Sequence, residues 1–349
     1  MLRMLTIFAA AVFAQAASAA DYLAPEDVLA ASAAHFPEIL EGLANRRAVE
    51  SGLEEARGAF DLVFESEGKQ YATGFYDGRE VGARVRQEIA PLGASVYGGY
   101  RVSRGDFPIY KDEAFTDRGG EASAGVVLSL LRDRATDARR FGVSDADLAV
   151  AISEQDTMLA RLAVQEQAAT AYFRWVAAVR RLDVYEDLVR LAENRQSALR
   201  KEVEAGARAR IYLTENAQTL ARRKVLLLDA EQAAAEAAIA LSLYYRDAEG
   251  NAVTPTRAQA PRDRADPAAA FQGVEAALLD DDVPLQRPDL SRLELEMERA
   301  RNRVALARND ALPRLELGYE IANDFGPEGL GGSSRDGLEN IVGLRFSVP

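Results

Sequence analysis

The chain has 349 residues, 28% of them charged, a formal net charge of −13, one histidine and no cysteine. That acidity argues against a general affinity for nucleic acid, because no basic stripe exists to release phosphate counterions, and the missing cysteines exclude a disulfide framework and a lipid-attachment thiol. No phosphate-binding glycine loop, no G-x-S-x-G turn and no metal-ligand spacing occurs, so no catalytic, cofactor-binding or metal-ligating residue is expected.

In chain order, residues 1–19 read as a signal peptide. A single Arg3 precedes the apolar run Leu5–Phe13, and Ala17-Ser18-Ala19 is a small-x-small site that places cleavage between Ala19 and Ala20. The run is too short to span a bilayer, which needs about 20 apolar residues. Residues 20–59 read as opening helices, with Pro25 near a start and Glu26 and Asp27 favouring its positive end. His35-Phe36-Pro37 interrupts this stretch, so a short helix is expected before a longer one that ends near Arg57. His35, without Cys or suitably spaced carboxylates, reads as structural or exposed rather than as a ligand.

Residues 60–135 read as strands. Val81, Ala83 and Val85 alternate with Gly82, Arg84 and Arg86; Val96, Gly98, Tyr100 and Val102 alternate with Tyr97, Gly99, Arg101 and Ser103; Ala122, Ala124, Val126 and Leu128 alternate with Ser123, Gly125, Val127 and Ser129. About four segments share this period of two. The pattern suits a membrane barrel, with Tyr100, Val102, Val126 and Leu128 facing lipid and Arg101, Ser123 and Ser129 facing the lumen. It equally suits a soluble antiparallel sheet with one wet face. Pro91-Leu92-Gly93 is a tight turn, whereas residues 104–120 form a long polar loop, an asymmetry that barrels share.

Residues 136–246 read as a long helical hairpin, capped by Thr136 or Asp137. One stripe runs Ala168, Tyr172, Trp175, Val179, Leu182, Glu186, Val189; a second runs Leu213, Ala217, Leu220, Lys224, Leu227, Glu231, Ala234, Ala238, Leu241. Three-four spacing of this kind is the coiled-coil period. Gly206 is the expected break between antiparallel helices. The first helix, about 68 residues and roughly 100 Å long, is about twice the length of the second, about 35 residues, and a helix ending near Arg57 would make up the difference if stacked end-on. Residues 247–287 read as a connector, and Asp280-Asp281-Asp282 within it as polar linker, since no calcium-loop glycine or distal Glu follows.

Residues 288–311 read as a second opening helix and 312–349 as further strands. The segment from Pro37 to Glu65 is echoed from Pro288 to Glu316, with Ala56-Arg57 and Ala307-Arg308 at matching distances; Gly125–Leu130 is echoed by Gly343–Val348. A duplicated helix–strand–long-helix unit is expected, with its second long hairpin absent.

Arg287-Pro288-Asp289-Leu290 with the following charged helix and Leu312-Pro313-Arg314-Leu315, the junction from Leu128 to Val143, and the Gly206 region together resemble the TolC-type outer-membrane efflux channels, over nearly all of the mature chain. The resemblance implies an α+β, mainly α fold: long antiparallel coiled-coil helices forming a periplasmic α-barrel, plus transmembrane β-barrel strands, in two structural repeats of which the second is incomplete. It implies a homotrimer in outer-membrane lipid that extends into the periplasm. That trimer would serve as a passive conduit with a periplasmic adaptor and an inner-membrane pump, in efflux or type I secretion, without enzyme activity. The hairpin tip would dock the adaptor through Glu204, Gly206, Arg208 and Arg210. Ala209 and Tyr212 stand where the family often has a polar residue and Asp. The strand region also holds about four segments where the family usually has two per repeat. With the second hairpin absent, the stripe through Tyr172, Trp175 and Val179 is expected to lack neighbours within one chain, and a working channel to need roughly 110 further residues. The other readings are a periplasmic coiled-coil adaptor or structural protein, and an inactive truncated channel fragment.

Overall fold

The structure, a computed structural model, describes residues 22–108, 115–261, 287–329 and 337–349. The expected cleavage site at Ala19 and Ala20, the acidic run at 280–282 and parts of the loops at 104–120 and 323–337 lie outside the described residues. The described elements are, in order, helices α1 (Pro25–His35) and α2 (Pro37–Arg57), strands β1 (Val63–Gln70), β2 (Arg79–Ile89), β3 (Ala94–Arg104) and β4 (Glu121–Ser129), helices α3 (Ala138–Glu204), α4 (Ile211–Ser242) and α5 (Pro288–Asp310), and strands β5 (Arg314–Asp324) and β6 (Leu338–Ser347). Among the described residues no helix is long and apolar enough to cross a membrane.

The chain divides into two compact units, each built from separated stretches. One holds residues 1–43 and 157–283, and the other holds residues 44–156 and 284–349. In the first, the C-terminal part of α3 folds back on α4 as an antiparallel hairpin. Gly206 makes the turn at φ +72, and the Ala207 N–H reaches back to the Glu202 carbonyl at 2.9 Å, the pattern of a left-handed helix stop. Helix α1 begins at Pro25, with Glu26 and Asp27 in its first turn, and ends at Phe36 because Pro37 has no N–H to continue it. Ala168, Tyr172, Trp175, Val176 and Val179 of α3 are buried together with Ala238 and Leu241 of α4, Val28 of α1, and Leu23 and Ala260. The Tyr172 hydroxyl donates to the Leu23 carbonyl at 2.8 Å, and the Leu23 N–H donates to the Gln259 carbonyl at 2.7 Å.

Two expectations are corrected here. The stripe through Tyr172, Trp175 and Val179 does have its neighbours within the chain: these residues are 3%, 1% and 4% exposed. The alanines of α4 let the two helices approach closely, and residues around Leu23, Val28 and Ala260 cover the remainder. The buried face of α4 also departs from the expected stripe. Asn216 and Ala230 are buried, whereas Ala217, Lys224 and Glu231 are exposed. Asn216 can go inside because its side-chain amide N–H groups donate to the Ala192 carbonyl at 3.2 Å and to Gln196 Oε1 at 2.6 Å.

The second unit is built on a six-stranded antiparallel sheet in the order β1-β2-β3-β4-β5-β6. Every neighbour in sequence is a neighbour in space, although β4 and β5 are separated in the chain by the entire helical hairpin. The turn from β2 to β3 passes through Ala90–Leu92 to Gly93, whose φ of +57 and approach to the Asp133 carbonyl leave no room for a side chain. The β4-to-α3 junction is pinned by polar contacts. The Asp133 N–H donates to Asn309 Oδ1 at 2.8 Å, Arg314 reaches Asp133 at 3.1 Å, and Asp137 caps α3 by accepting from the Arg140 N–H at 2.8 Å. Helix α5 packs on the first turns of α3, with Arg299 forked onto Asp145 at 2.8 and 2.5 Å and Arg292 on Asp156 at 2.7 Å.

Candidate functional site

Sheet register decides which side chains share a face, because side chains alternate along each strand and directly paired residues point the same way. Tyr100 pairs with Ala83 and Ala122, Val102 with Val81, Val126 with Val96 and Tyr319, and Leu128 with Ala94 and Leu317. Tyr319 and Leu317 continue to Val342 and Leu344. The four residues expected toward lipid therefore lie on one face with Phe64, Val85, Ile321 and Phe346. That face is mainly apolar along β2 to β6, with polar residues toward the strand ends, whereas on β1 Phe64 is its only large apolar residue. Many of its side chains are open to the surroundings: Val81 is 62% exposed, Val342 70%, Leu344 69% and Phe64 69%.

The opposite face carries the charges. Arg101 pairs with Gly82 and Glu121, Ser123 with Gly99 and Ala322, and Ser129 with Glu316. Glu65, Glu67, Lys69, Glu80, Arg84, Arg86, Glu88, Glu320 and Arg345 share this side. Its ion pairs lie across the strands. Arg101 holds Glu121 at 3.0 and 2.6 Å and approaches Glu80 at 3.6 Å. The Tyr97 hydroxyl donates to Glu320, the Arg84 guanidinium lies 5.0 Å from the Tyr97 ring centre, and Gly125 is needed beneath that ring because a Cβ there would strike it. Cross-strand pairs of this kind fix register and occupy the charges without burying them.

The two sets of strand residues singled out in the sequence thus fall on opposite faces, each set together. Three glycines, Gly82, Gly98 and Gly99, lie among them where strands β2 and β3 carry no bulk.

At the far end of the hairpin, residues 204–211 are exposed throughout. Glu204 closes α3, Gly206 makes the turn and Arg210 precedes α4. Arg208 folds back on Glu202 at 2.6 Å and lies 5.2 Å from the Tyr212 ring centre, so it is held against the tip itself. Arg210 makes no ion pair among the described residues.

One feature of the hairpin was not read in the sequence. Arg257, in the segment after α4, forks onto Asp183 and Glu186 of α3, reaching Glu186 at 2.6 Å with each of two nitrogens. The guanidinium beside Glu186 holds its carboxyl below the usual range, and the two acids raise Arg257 in return. Glu186, read as part of an apolar stripe, is instead a half-exposed anchor at the edge of it. The only sequence signal was an Arg following Pro255, with no indication of its partners. Among the described residues no group of three ligating side chains could hold a metal ion.

The fold is similar to those of bacterial outer-membrane channels. The chain is similar to the CmeC outer membrane channel of Campylobacter jejuni (16% identity, TM-score 0.52, 93% of this chain and 61% of that one). It is also similar to the outer membrane protein VceC of Vibrio cholerae (14%, 0.52, 93% and 68%) and the open-state MtrE outer membrane channel of Neisseria gonorrhoeae (13%, 0.52, 93% and 63%). The chain spans 61% of the CmeC chain and 63% of the MtrE chain. No family model matches it, and no curated protein matches it.

Proposed function

We propose that the chain is a TolC-type outer-membrane channel component. In this reading it is a non-catalytic conduit whose sheet forms part of a transmembrane barrel and whose hairpin extends into the periplasm. The observation that carries this is the division of the sheet into one mainly apolar face and one charged face, since a soluble sheet would have to hide the apolar side. On that face Val342, Leu344 and Phe346 are between 62% and 70% exposed. The fold likeness to outer-membrane channels points the same way.

In this reading Tyr100, Val102, Val126 and Leu128 meet lipid, and Arg101, Ser123 and Ser129 line the water-filled side. The hairpin carries its own unpartnered apolar residues: Val184 and Leu191 on α3, and Val225, Leu228 and Ile239 on α4, are each more than half exposed. Helices of neighbouring copies would cover them, consistent with a homotrimer whose helices form a coiled-coil tunnel. Substrate would pass through that tunnel from an inner-membrane pump, with a periplasmic adaptor seated on the tip at Glu204, Gly206, Arg208 and Arg210.

The test is location and conductance. Expressed with its leader in a double-membrane bacterium, the protein should stay in the outer-membrane fraction after carbonate washing and conduct ions in planar bilayers. Release by carbonate would overturn the barrel reading in favour of a periplasmic coiled-coil protein. Photo-crosslinkers at Arg208 and Arg210 should capture a periplasmic partner; capture of outer-membrane neighbours alone would remove the docking role.

A further inference from the structure

Arginines on the two faces of the sheet differ in their partners. On the charged face Arg84 lies over the Tyr97 ring, Arg86 reaches Glu88 at 2.9 Å, Arg101 forks onto Glu121, and Arg345 approaches Glu316 at 3.6 Å. Arg79 and Arg104 belong to the other face. Strand register sets them directly opposite each other, with Gln70 opposite Arg79 on its other side, in the row that follows Gly68, Val81 and Val102. Like charges directly opposed on two strands destabilise a sheet. Both arginines are exposed, and neither makes an ion pair among the described residues. Arg104 donates to the carbonyl of Ser103 at 2.8 Å and to that of Arg118, contacts that steady the guanidinium without neutralising it. Arg118 is itself exposed and brings a third arginine to this end of the sheet, again without an ion pair among the described residues.

This row marks one end of the apolar band. The opposite end of the sheet is where Gly93 turns β2 into β3, β4 leads into α3 and α5 leads into β5. From Ala94, at that opposite end, to Arg104 the strand climbs about 26 Å at roughly 3.4 Å per residue and a tilt near 40°, close to the roughly 25 Å height of the apolar band on a membrane barrel. Val81, Val102 and Tyr100 lie just inside the arginine row. Phe75, 92% exposed, stands in the turn just beyond it, and aromatic side chains collect at the boundary between lipid and water. With the helical hairpin in the periplasm, the arginine row lies at the outer boundary of the bilayer.

We propose that Arg79, Arg104 and Arg118 form a docking site for the phosphate groups of lipid headgroups in the outer leaflet. A phosphate set between Arg79 and Arg104 turns a repulsive pair into two charge-assisted contacts, and the planar fork of each guanidinium suits two oxygens of one phosphate. The nearby acids of the strands do not compete for this place: Glu65, Glu67, Glu80 and Glu121 all lie on the charged face. Asp77 and Asp106, in the adjoining turns, are joined to each other, the Asp106 N–H donating to Asp77 Oδ1 at 2.8 Å, and neither makes an ion pair with the arginines. The proposal rests on the barrel reading given above and names the lipid chemistry that the outer rim of the barrel selects.

The test reconstitutes the full chain into phosphatidylcholine vesicles that contain diphosphorylated lipid A, dephosphorylated lipid A, or neither. Insertion is scored first, by resistance to carbonate extraction, and lipid retained on the protein is then counted by native mass spectrometry. Wild-type protein should retain the diphosphorylated lipid in preference to the dephosphorylated one. Arg79→Gln with Arg104→Gln should lower that retention about five-fold for each arginine removed. Arg84→Gln with Arg86→Gln, on the charged face, should leave it nearly unchanged. In phosphatidylcholine alone the Arg79 and Arg104 double variant should have a urea midpoint equal to or above wild type, because the opposed charges are relieved. A lower midpoint there gives the arginines a structural role and overturns the docking site. Equal retention of the two lipids by inserted wild-type protein, or equal loss from both arginine pairs, overturns the docking site and leaves the barrel standing. Inorganic phosphate added to the phosphatidylcholine vesicles should not raise the midpoint; a rise equal to that produced by the diphosphorylated lipid makes the site one for free phosphate and overturns lipid docking. Protein that carbonate releases from every vesicle overturns the barrel, and the docking site with it.

Discussion

Replacing Val126 with lysine tests the two-faced sheet most directly. Val126 sits in β4 between Val96 of β3 and Tyr319 of β5, so a charge there has only apolar neighbours across the strands. On the lipid face of a barrel, a lysine near the bilayer midplane costs about 2–4 kcal/mol. At about 1.36 kcal/mol per decade, that lowers the equilibrium for insertion roughly 30- to 1000-fold. Ser129 is three residues along the same strand and on the other face. It lies opposite Glu316, which already draws Arg314 to 3.8 Å and Arg345 to 3.6 Å, so a lysine there meets an acid and water. Ser129→Lys should change stability by less than about 1 kcal/mol. Both variants can be refolded into phosphatidylcholine vesicles across a urea series, with insertion read by protease protection. A wet-faced soluble sheet would show no vesicle-dependent difference between them. Equal losses at the two positions would refute the assignment of faces.

The hairpin supplies three further predictions. Tyr172→Phe removes the hydroxyl that the Leu23 carbonyl accepts from, and should destabilise the protein by about 1–3 kcal/mol in urea melts because that carbonyl is left buried and unpaired. Burial pushes Tyr172 up to about 12, above its ordinary value near 10; the wild-type contribution is therefore fully present below pH 10 and lost as pH rises through about 12, a step the Phe variant should lack. Asp145→Asn breaks the fork from Arg299, the main cause of a carboxyl held below its usual range. Its contribution, about 1 kcal/mol at pH 7, should fade as pH falls below 4 in the wild type and be missing throughout in the variant, as read by the urea midpoint against pH. Gly206→Val should cost at least about 1–2 kcal/mol in thermal melts, whereas Gly206→Asn should be tolerated, because nothing stands within 4 Å of an added Cβ and the obstacle is the left-handed backbone alone.

Features carried by local chemistry were legible in the sequence. Pro37 ends one helix and starts the next, Gly206 marks a left-handed stop, and a period of two separates Val126 from Ser129 on opposite faces. Features that depend on a partner distant in sequence were not. Asn216 is buried although its polarity alone predicts exposure, because the Ala192 carbonyl and Gln196 Oε1 accept from its side-chain amide. The covering of Tyr172 and Trp175 depends on Leu23 and Ala260, which carry no periodic signal of their own. The grip of Arg257 on Asp183 and Glu186 is legible only after the segment following α4 has been laid against α3. In the sheet, alternation reveals the faces of β2, β3 and β4, whereas β1 carries Glu65, Glu67 and Lys69 on one side and Phe64, Ser66, Gly68 and Gln70 on the other, and so gives little apolar signal.

The pairing of β4 with β5 also bears on how the chain reaches this state. Ser129 and Glu316 meet only after everything from α3 to α5 has been made, and each compact unit is assembled from two stretches that the other unit interrupts. The sheet unit cannot finish until its last strands have emerged, whereas the other unit has all its stretches by residue 283. The helical hairpin has mainly local contacts and can form early, and by doing so it brings the chain on either side of it closer and reduces the entropy lost in closing so long a loop. Until β5 arrives, β4 stands as a bare edge with an apolar face open to any other strand. Such an unpaired edge is the kind of surface on which a partly made sheet aggregates, so an escort that shields unpaired strands would act between completion of the hairpin and docking of β5.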